Sequence, residues 1–128
     1  LPSRLKSVLP EASKKSIIVR KGFESNLILY PITEFQNIYT RINSLNEFSS
    51  EQRKLKRNLF SGISQVDFDS NGRFLIPKNM ISHCGIEKEV ILIGVGNIIE
   101  LWNPMTYKNN LIKDSKEFSS LAQKYLDI

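Results

Sequence analysis

One nine-residue stretch, at positions 69–77, constrains the fold of this chain more than any other. Its sequence is DSNGRFLIP, and apolar residues recur at every second position before it (Val66 and Phe68) and after its centre (Phe74 and Ile76). At that centre stands Asn71-Gly72, the dipeptide most typical of a tight β-hairpin, because the turn needs positive φ angles at both central residues. Pro77 ends the second arm, since proline has no N–H to donate to a sheet. We therefore predict a β-hairpin over residues 64–77.

The rest of the chain alternates short strands with helices. Apolar and β-branched runs predict four further strands, at residues 16–20, 26–30, 89–94 and 98–102. Helical spacing and capping residues predict helices, at residues 3–9, 31–45, 50–61, 78–83 and, with a break, from 104 toward 125. We expect Thr33 to cap the helix that starts at 31 and Ser49 or Ser50 to cap the next one. Gly85 is expected to stop the helix at 78–83, and Asn103 to cap the last helix, with Pro104 at its first position. Within the strand at 89–94, the continuous apolar run 90–93 indicates burial on both faces.

The two halves of the sequence repeat each other. Residues 27–30 (LILY) correspond to residues 99–102 (IELW), and Phe35 corresponds to Tyr107, at a spacing of 72 residues. A unit of about 50 residues buries little surface by itself. We therefore expect the two units to interlock around one core.

Charge is distributed unevenly along the chain. Residues 1–60 hold eleven Lys and Arg against five Asp and Glu, whereas residues 61–128 hold seven against eight. The basic first half favours an anionic partner, a nucleic acid or a membrane surface, although a net charge of +5 also serves solubility alone. No stretch reaches the roughly 18 apolar residues of a membrane-spanning helix. The single cysteine cannot form an internal disulfide, so a reduced, cytoplasmic location is predicted.

Arg73 is the first candidate for a binding residue, because the hairpin holds its guanidinium near the tip. A planar guanidinium suits the paired acceptors of guanine or of a phosphate. Asn71 and Ser70 are candidates for neighbouring phosphate or adenine contacts. Asp69 and Gly72 are expected to form the turn, with Asp69 fixing it or pairing with Arg73. Further candidates for phosphate contact flank the two repeat-related prolines, namely Lys78, Arg4 and Lys6.

Taken alone, an Asn-Gly turn with a solvated arginine is also an ordinary surface feature. The basic run at residues 53–57 can likewise be an ordinary solvated helix face, because such runs are usually solvated. It could instead bind phosphate or the acidic edge of a neighbouring subunit. Tyr30 and Trp102 end apolar strands, and we expect them in the core rather than stacked on bases.

Other motifs do not support an enzyme or a metal site. The run at residues 94–96 (GVG) is followed by a strand, whereas a dinucleotide site requires a helix there. A zinc site needs about four ligands, and the chain offers one histidine and one cysteine, His83 and Cys84. As sequence neighbours, these two cannot orient for nucleophilic catalysis, and we expect them to pack at a helix end. No catalytic residue, metal, cofactor or small-molecule substrate is predicted.

Taken together, these motifs resemble the MraZ family of bacterial transcription regulators. The resemblance covers about residues 1–107 and rests on 69–77, on 90–97 (VILIGVGN), on 99–102 and on 29–35 (LYPITEF). It implies an α+β fold of two tandem AbrB-like swapped-hairpin units, which form a β-barrel pseudo-dimer with flanking helices. The family has an Asp-x-x-Gly-Arg hairpin before the position of Leu1. We therefore expect the first unit to be N-terminally incomplete, with an unpaired sheet edge.

The resemblance also implies a domain organisation and a function. The expected segments are a first unit at 1–45, a basic linking helix at 46–63, a second unit at 64–110 and a helical tail at 111–128. The implied function is sequence-specific regulation of the division and cell-wall gene cluster. The chain would bind direct repeats in double-stranded promoter DNA, as a ring-shaped homo-oligomer at the nucleoid. The alternative is an assembly module of the same fold that does not bind DNA.

Overall fold

The computed structural model describes residues 16–128, whose strands form one five-stranded antiparallel sheet in the order β3-β1-β2-β5-β4. The strands are β1 (Ser16–Lys21), β2 (Asn26–Tyr30), β3 (Ile63–Asp67), β4 (Ile91–Val95) and β5 (Ile98–Trp102). The helices are α1 (Ile32–Asn43), α2 (Ser50–Ser61), α3 (Lys78–Cys84), α4 (Pro104–Asn109) and α5 (Ser115–Leu126). The predicted helix at residues 3–9 lies outside the described residues.

The sheet joins the two halves of the sequence at its centre. There β2 pairs with β5, and Ile28 lies opposite Glu100, the residue 72 positions further along. The repeat also recurs in side-chain contacts. The Tyr30 and Phe35 rings lie 6.0 Å apart, and the corresponding rings of Trp102 and Tyr107 lie 5.9 Å apart. The sequence repeat is therefore a repeat of structure as well.

The core lies on both faces of β1 and β2, all of whose residues except Lys21 are buried. On one face, alternate side chains such as Val19 and Leu29 pack with Met80 and Cys84 of α3. On the other face, Ile18, Ile28 and Tyr30 pack against α1. Tyr30 and Trp102 are both 4% exposed, which confirms their prediction as core residues.

Local capping chemistry sets most helix boundaries as the sequence predicts. The Ser49 side chain accepts a hydrogen bond from the Gln52 amide, and Asn103 accepts one from Met105 just before Pro104. Gly85 ends α3 at a φ of 64°. The predicted cap at Thr33 is wrong. Helix α1 begins at Ile32 with Pro31 at its N-cap, because the φ of Pro31 already suits a helix start and the Pro31 carbonyl accepts from the amide of Phe35.

Two strand predictions are corrected. The run at 89–94 is a strand only from Ile91, and it is partly exposed instead of buried on both faces. The reason is its place in the sheet: among residues 16–128, β4 pairs with β5 alone, and Val95 is 45% exposed. In the predicted hairpin at 64–77, the first arm is β3 but the second arm forms no strand. Its Phe74 and Ile76 side chains pack against the core cluster instead.

Candidate nucleic-acid interface

The tip that follows β3 is a tight turn closed by a left-handed glycine. The Gly72 amide donates to the Asp69 carbonyl (3.0 Å), and the Asp69 amide donates to the Arg73 carbonyl (2.7 Å). Gly72 has a φ of 76°, whereas Asn71 has no positive φ. The expectation of two positive φ angles is therefore wrong at Asn71. The turn instead places Ser70 and Asn71 at its centre and uses the glycine as a bulge, a common three-residue hairpin connection.

The Asp69 carboxylate holds this turn together, as the sequence predicts. Its Oδ1 accepts from the backbone amides of Asn71 (2.9 Å) and Arg73 (2.8 Å). Its Oδ2 accepts from Nε of the Arg73 guanidinium at 3.0 Å. The Arg73 amide is the main cause that lowers the pKa of Asp69 below its ordinary value, because it favours the charged carboxylate.

The contact between Asp69 Oδ2 and Arg73 Nε also sets the direction of the Arg73 side chain. Asp69 occupies Nε on one flank of the guanidinium, and the Arg73 side chain is 72% exposed. Among residues 16–128, Nη1 and Nη2 donate no hydrogen bond to the chain. The terminal pair of nitrogens is therefore free to meet two acceptors at once, which is the geometry that guanine O6 and N7 offer in the major groove.

Two aromatic rings fix the base of the turn to the core. Phe68 and Phe74 meet edge to face, with centroids 5.6 Å apart and planes at 85°. Both rings pack against the buried cluster beneath the sheet. Because the anchors precede and follow the loop, the tip cannot rotate freely on its two arms. The loop therefore holds the backbone of Arg73 in a fixed position relative to the core.

The other predicted site residues take different places. Ser70 and Asn71 are exposed on the tip, and Lys78 is exposed as the first residue of α3. Arg4 and Lys6 lie outside the described residues. In the basic run of α2, Arg53 donates to the Glu47 carbonyl at 2.9 Å, and within residues 16–128 no hydrogen bond or ion pair joins this run to the tip.

The sequence analysis missed Leu75, which shares a shallow concavity with Asp67, Asp69 and Arg73. Its side chain is 86% exposed. The signal was present in the alternation after the turn, because Phe74 and Ile76 face the core and Leu75 must then face away from it. An exposed leucine beside an arginine tip can contact the methyl group of thymine.

The remaining candidates have structural roles. Burial raises the pKa of the Cys84 thiol to about 11, and Sγ donates to the Met80 carbonyl at the end of α3. His83 Nε2 lies 3.0 Å from the Glu24 carbonyl, so both residues contact their surroundings at a helix end. Across residues 16–128 there is no cluster of three metal-ligating side chains. No helix in that part of the chain is both long enough and apolar enough to span a bilayer.

Comparison with known proteins assigns this α+β chain with its arginine-bearing turn to a family. Residues 59–127 match the family described as MraZ protein, putative antitoxin-like. The chain is 48% identical over 126 residues to the transcriptional regulator MraZ of Cytophaga hutchinsonii, covering 98% of this chain and 83% of that protein. The regulator of the same name from Christiangramia forsetii is 34% identical over 127 residues, covering 98% and 82%.

More distant relatives match along the same length. The transcriptional regulator MraZ of Finegoldia magna is 31% identical over 128 residues, which is all of this chain and 87% of that protein. The chain belongs to the MraZ family, as its motifs predict.

Proposed function

We propose that this chain is a sequence-specific DNA-binding transcription regulator that acts without catalysis. The observation that carries the proposal is the free guanidinium end of Arg73 on a turn held by Asp69. Support comes from relatives that are named transcriptional regulators. The double-stranded promoter DNA of the division and cell-wall gene cluster is the proposed partner, and the nucleoid in the cytoplasm is the proposed location.

The charges at the tip favour contact with bases over contact with phosphates. Asp67 and Asp69 are both exposed near the single arginine, so the tip itself does not attract phosphate strongly. The Asp69 carboxylate weakens the long-range attraction between Arg73 and phosphates, but it also holds the guanidinium in a fixed direction. A fixed direction suits hydrogen bonds to a base edge. Ser70 and Asn71 are the proposed neighbours of that contact. Lys78 on α3 would supply the phosphate contact that sets the register.

We propose for the whole fold the tandem swapped-hairpin arrangement of AbrB-like units. The pairing of β3 with β1 supports it, because the strand before the second unit lies against the first unit. By the repeat, an equivalent strand would lie against the outer edge of β4. Several chains would then form a closed ring that presents Arg73 tips to successive direct repeats, so that weak single contacts multiply.

Two substitutions separate contact with bases from contact with phosphates. In Arg73→Ala, the binding free energy for promoter DNA should weaken by roughly 1–3 kcal/mol per engaged tip, and the preference over random DNA should fall. In Lys78→Ala, both DNAs should bind more weakly and the slope of log affinity against log salt should flatten by about one. Titrations at several salt concentrations measure both, with Lys108→Ala as the matched control on an exposed lysine of α4.

An unchanged ratio of specific to random affinity in Arg73→Ala would contradict the role of Arg73. If promoter DNA bound no better than random DNA in the unmodified chain as well, the alternative of an assembly module would replace the proposal.

A further inference from the structure

Arg20 on β1 is a buried cation with only neutral partners in the described part of the chain. It is 8% exposed. Its Nε and Nη2 donate to the Tyr30 hydroxyl at 3.2 and 2.9 Å, and its Nη1 donates to the Lys21 carbonyl at 3.0 Å. Three of the five guanidinium hydrogens are thus used, and residues 16–128 place no carboxylate within salt-bridge distance. A charge taken out of water is normally compensated by a charge of opposite sign.

Arg20 lines a groove of about 290 Å³ between the sheet, α1 and α2, and its guanidinium carbon lies 5.0 Å from the centroid of the Phe23 ring. A second arginine, Arg41 of α1, lines the same groove, and none of the acidic residues within 16–128 does. The walls are otherwise apolar or aromatic, and they come from Phe23, Tyr30, Ile38, Ile42, Leu45, Leu55 and Leu59. Phe23 and Leu55 are 83% and 47% exposed, so the groove opens widely to solvent. A small ligand is usually enclosed on most sides, whereas an open groove of this kind suits a helix.

Helix α5 carries an exposed apolar stripe with one carboxylate in its first turn. Near its C-terminal end, Lys124 Nζ lies 5.2 Å from the centroid of the Tyr125 ring. Phe118, Leu121 and Tyr125 recur at helical spacing on one side of it, and Phe118 and Tyr125 are 62% and 72% exposed. Glu117 borders this stripe, one position before Phe118 and one turn before Leu121. An amphipathic helix whose apolar side stays in water lacks the packing that stabilises most helices.

We propose that the groove at Arg20 and Arg41 receives α5 of a second copy of this chain, with Glu117 of that copy facing the two arginines. Apolar walls then cover the apolar stripe, and an unneutralised pair of cations meets a carboxylate. The groove and α5 are different surfaces of one chain. Each copy can therefore bind one neighbour through its groove and another through its α5. Such head-to-tail contacts close into rings. The inference rests on the ring of the proposed function and names the contact that forms it.

Crosslinking between two singly substituted chains tests the contact. Leu55→Cys places a thiol in the groove, and Ala122→Cys places one beside the stripe, one turn after Phe118, and leaves the stripe itself intact. The native Cys84 is 1% exposed and does not compete for reagent. A short bis-maleimide added to the mixed variants, without DNA, should give a crosslinked dimer that neither variant gives alone. Lys116→Cys, on the opposite side of α5, is the matched control and should not crosslink to Leu55→Cys.

A second measurement reports on the energy of the contact. Because Phe118 is exposed within one chain, Phe118→Ser should leave the folded chain intact by circular dichroism but raise the dissociation constant for self-association roughly tenfold or more. Arg41→Glu should weaken association similarly, and mixing it with Glu117→Arg should restore association.

The possible failures can be told apart. If the unmodified chain forms oligomers by light scattering but the mixed variants do not crosslink, the ring stands and this contact is wrong. If Ala122→Cys crosslinks to itself, α5 packs against α5 and the proposal is overturned. If the unmodified chain stays monomeric, the ring and its contact both fall, while base recognition by Arg73 is tested separately on DNA.

Discussion

At the scale of single residues, Asp69 has the largest influence on the candidate site. One carboxylate accepts from two backbone amides and from Arg73 Nε, so it sets both the shape of the turn and the direction of the arginine. The ion pair itself is exposed, and exposed pairs stabilise little. Its importance is geometric: the same charge that orients Arg73 also reduces the attraction of the tip for any phosphate.

The stability of the turn should therefore decrease at low pH. Since the Arg73 amide lowers the pKa of Asp69, the stabilisation is fully present above the unfolded value of 3.8 and is lost as pH falls through the lower folded value. We expect the amide resonances of Asn71 and Arg73 to shift in one step as pH falls, with a midpoint below 3.8. In Asp69→Asn this step should be absent. A midpoint above pH 3.8 would mean that the carboxylate does not hold the turn.

At the scale of elements, the position of each strand in the sheet governs its burial. β1 lies between β2 and β3, and Val19 on it is fully buried. β4 has a neighbour on one side only within residues 16–128. The expectation of an unpaired edge on the first unit is therefore wrong for β1. The two edge strands of the described sheet are β3 and β4. β3 covers the outer side of β1, whereas no described strand covers the outer side of β4.

Hydrogen exchange should separate these strands. We expect the paired amides of β1 and β2 to exchange only on global unfolding, and the amides of β4 that point away from β5 to exchange orders of magnitude faster. Amides of β5, which is paired on both sides, serve as the internal control. Equal protection of β1 and of the outer edge of β4 would show that another strand covers β4, from elsewhere in the chain or from a neighbouring copy.

The sequence predicts what local chemistry decides and misses what depends on distant partners. The bounds of β2 and β5 follow from short apolar runs, and the caps at Ser49, Asn103 and Gly85 need only neighbouring residues. The burial of β4 could not be predicted, because its apolar run does not show how many strands will flank it. In the site, Asp69 and Arg73 were found from the motif. The free guanidinium end could not be predicted, because it depends on how the folded turn places Asp69 Oδ2 against Arg73 Nε. The exposure of Leu75 was already implied by the alternation after the turn.

At the scale of the whole molecule, the candidate DNA contact is small. Each chain shows one arginine tip in its described part, on a domain whose net charge is only +5. A single bidentate contact contributes about 1–3 kcal/mol of discrimination. Specific binding at cellular salt therefore requires several tips acting together, and the proposed ring would supply them by raising the effective concentration of each further tip.

The spacing of DNA repeats tests this cooperation. Two direct repeats on one fragment should bind roughly 10²–10⁴ times more tightly than one, because the second contact becomes intramolecular. Inserting about 5 base pairs, half a helical turn, should remove most of the gain by turning the second site to the other side of the duplex, whereas inserting about 10 should restore part of it. Phe118→Ser should bind one repeat as the unmodified chain does and lose the gain from two. If one and two repeats bind equally tightly, recognition requires only one tip, and the ring has no part in DNA affinity.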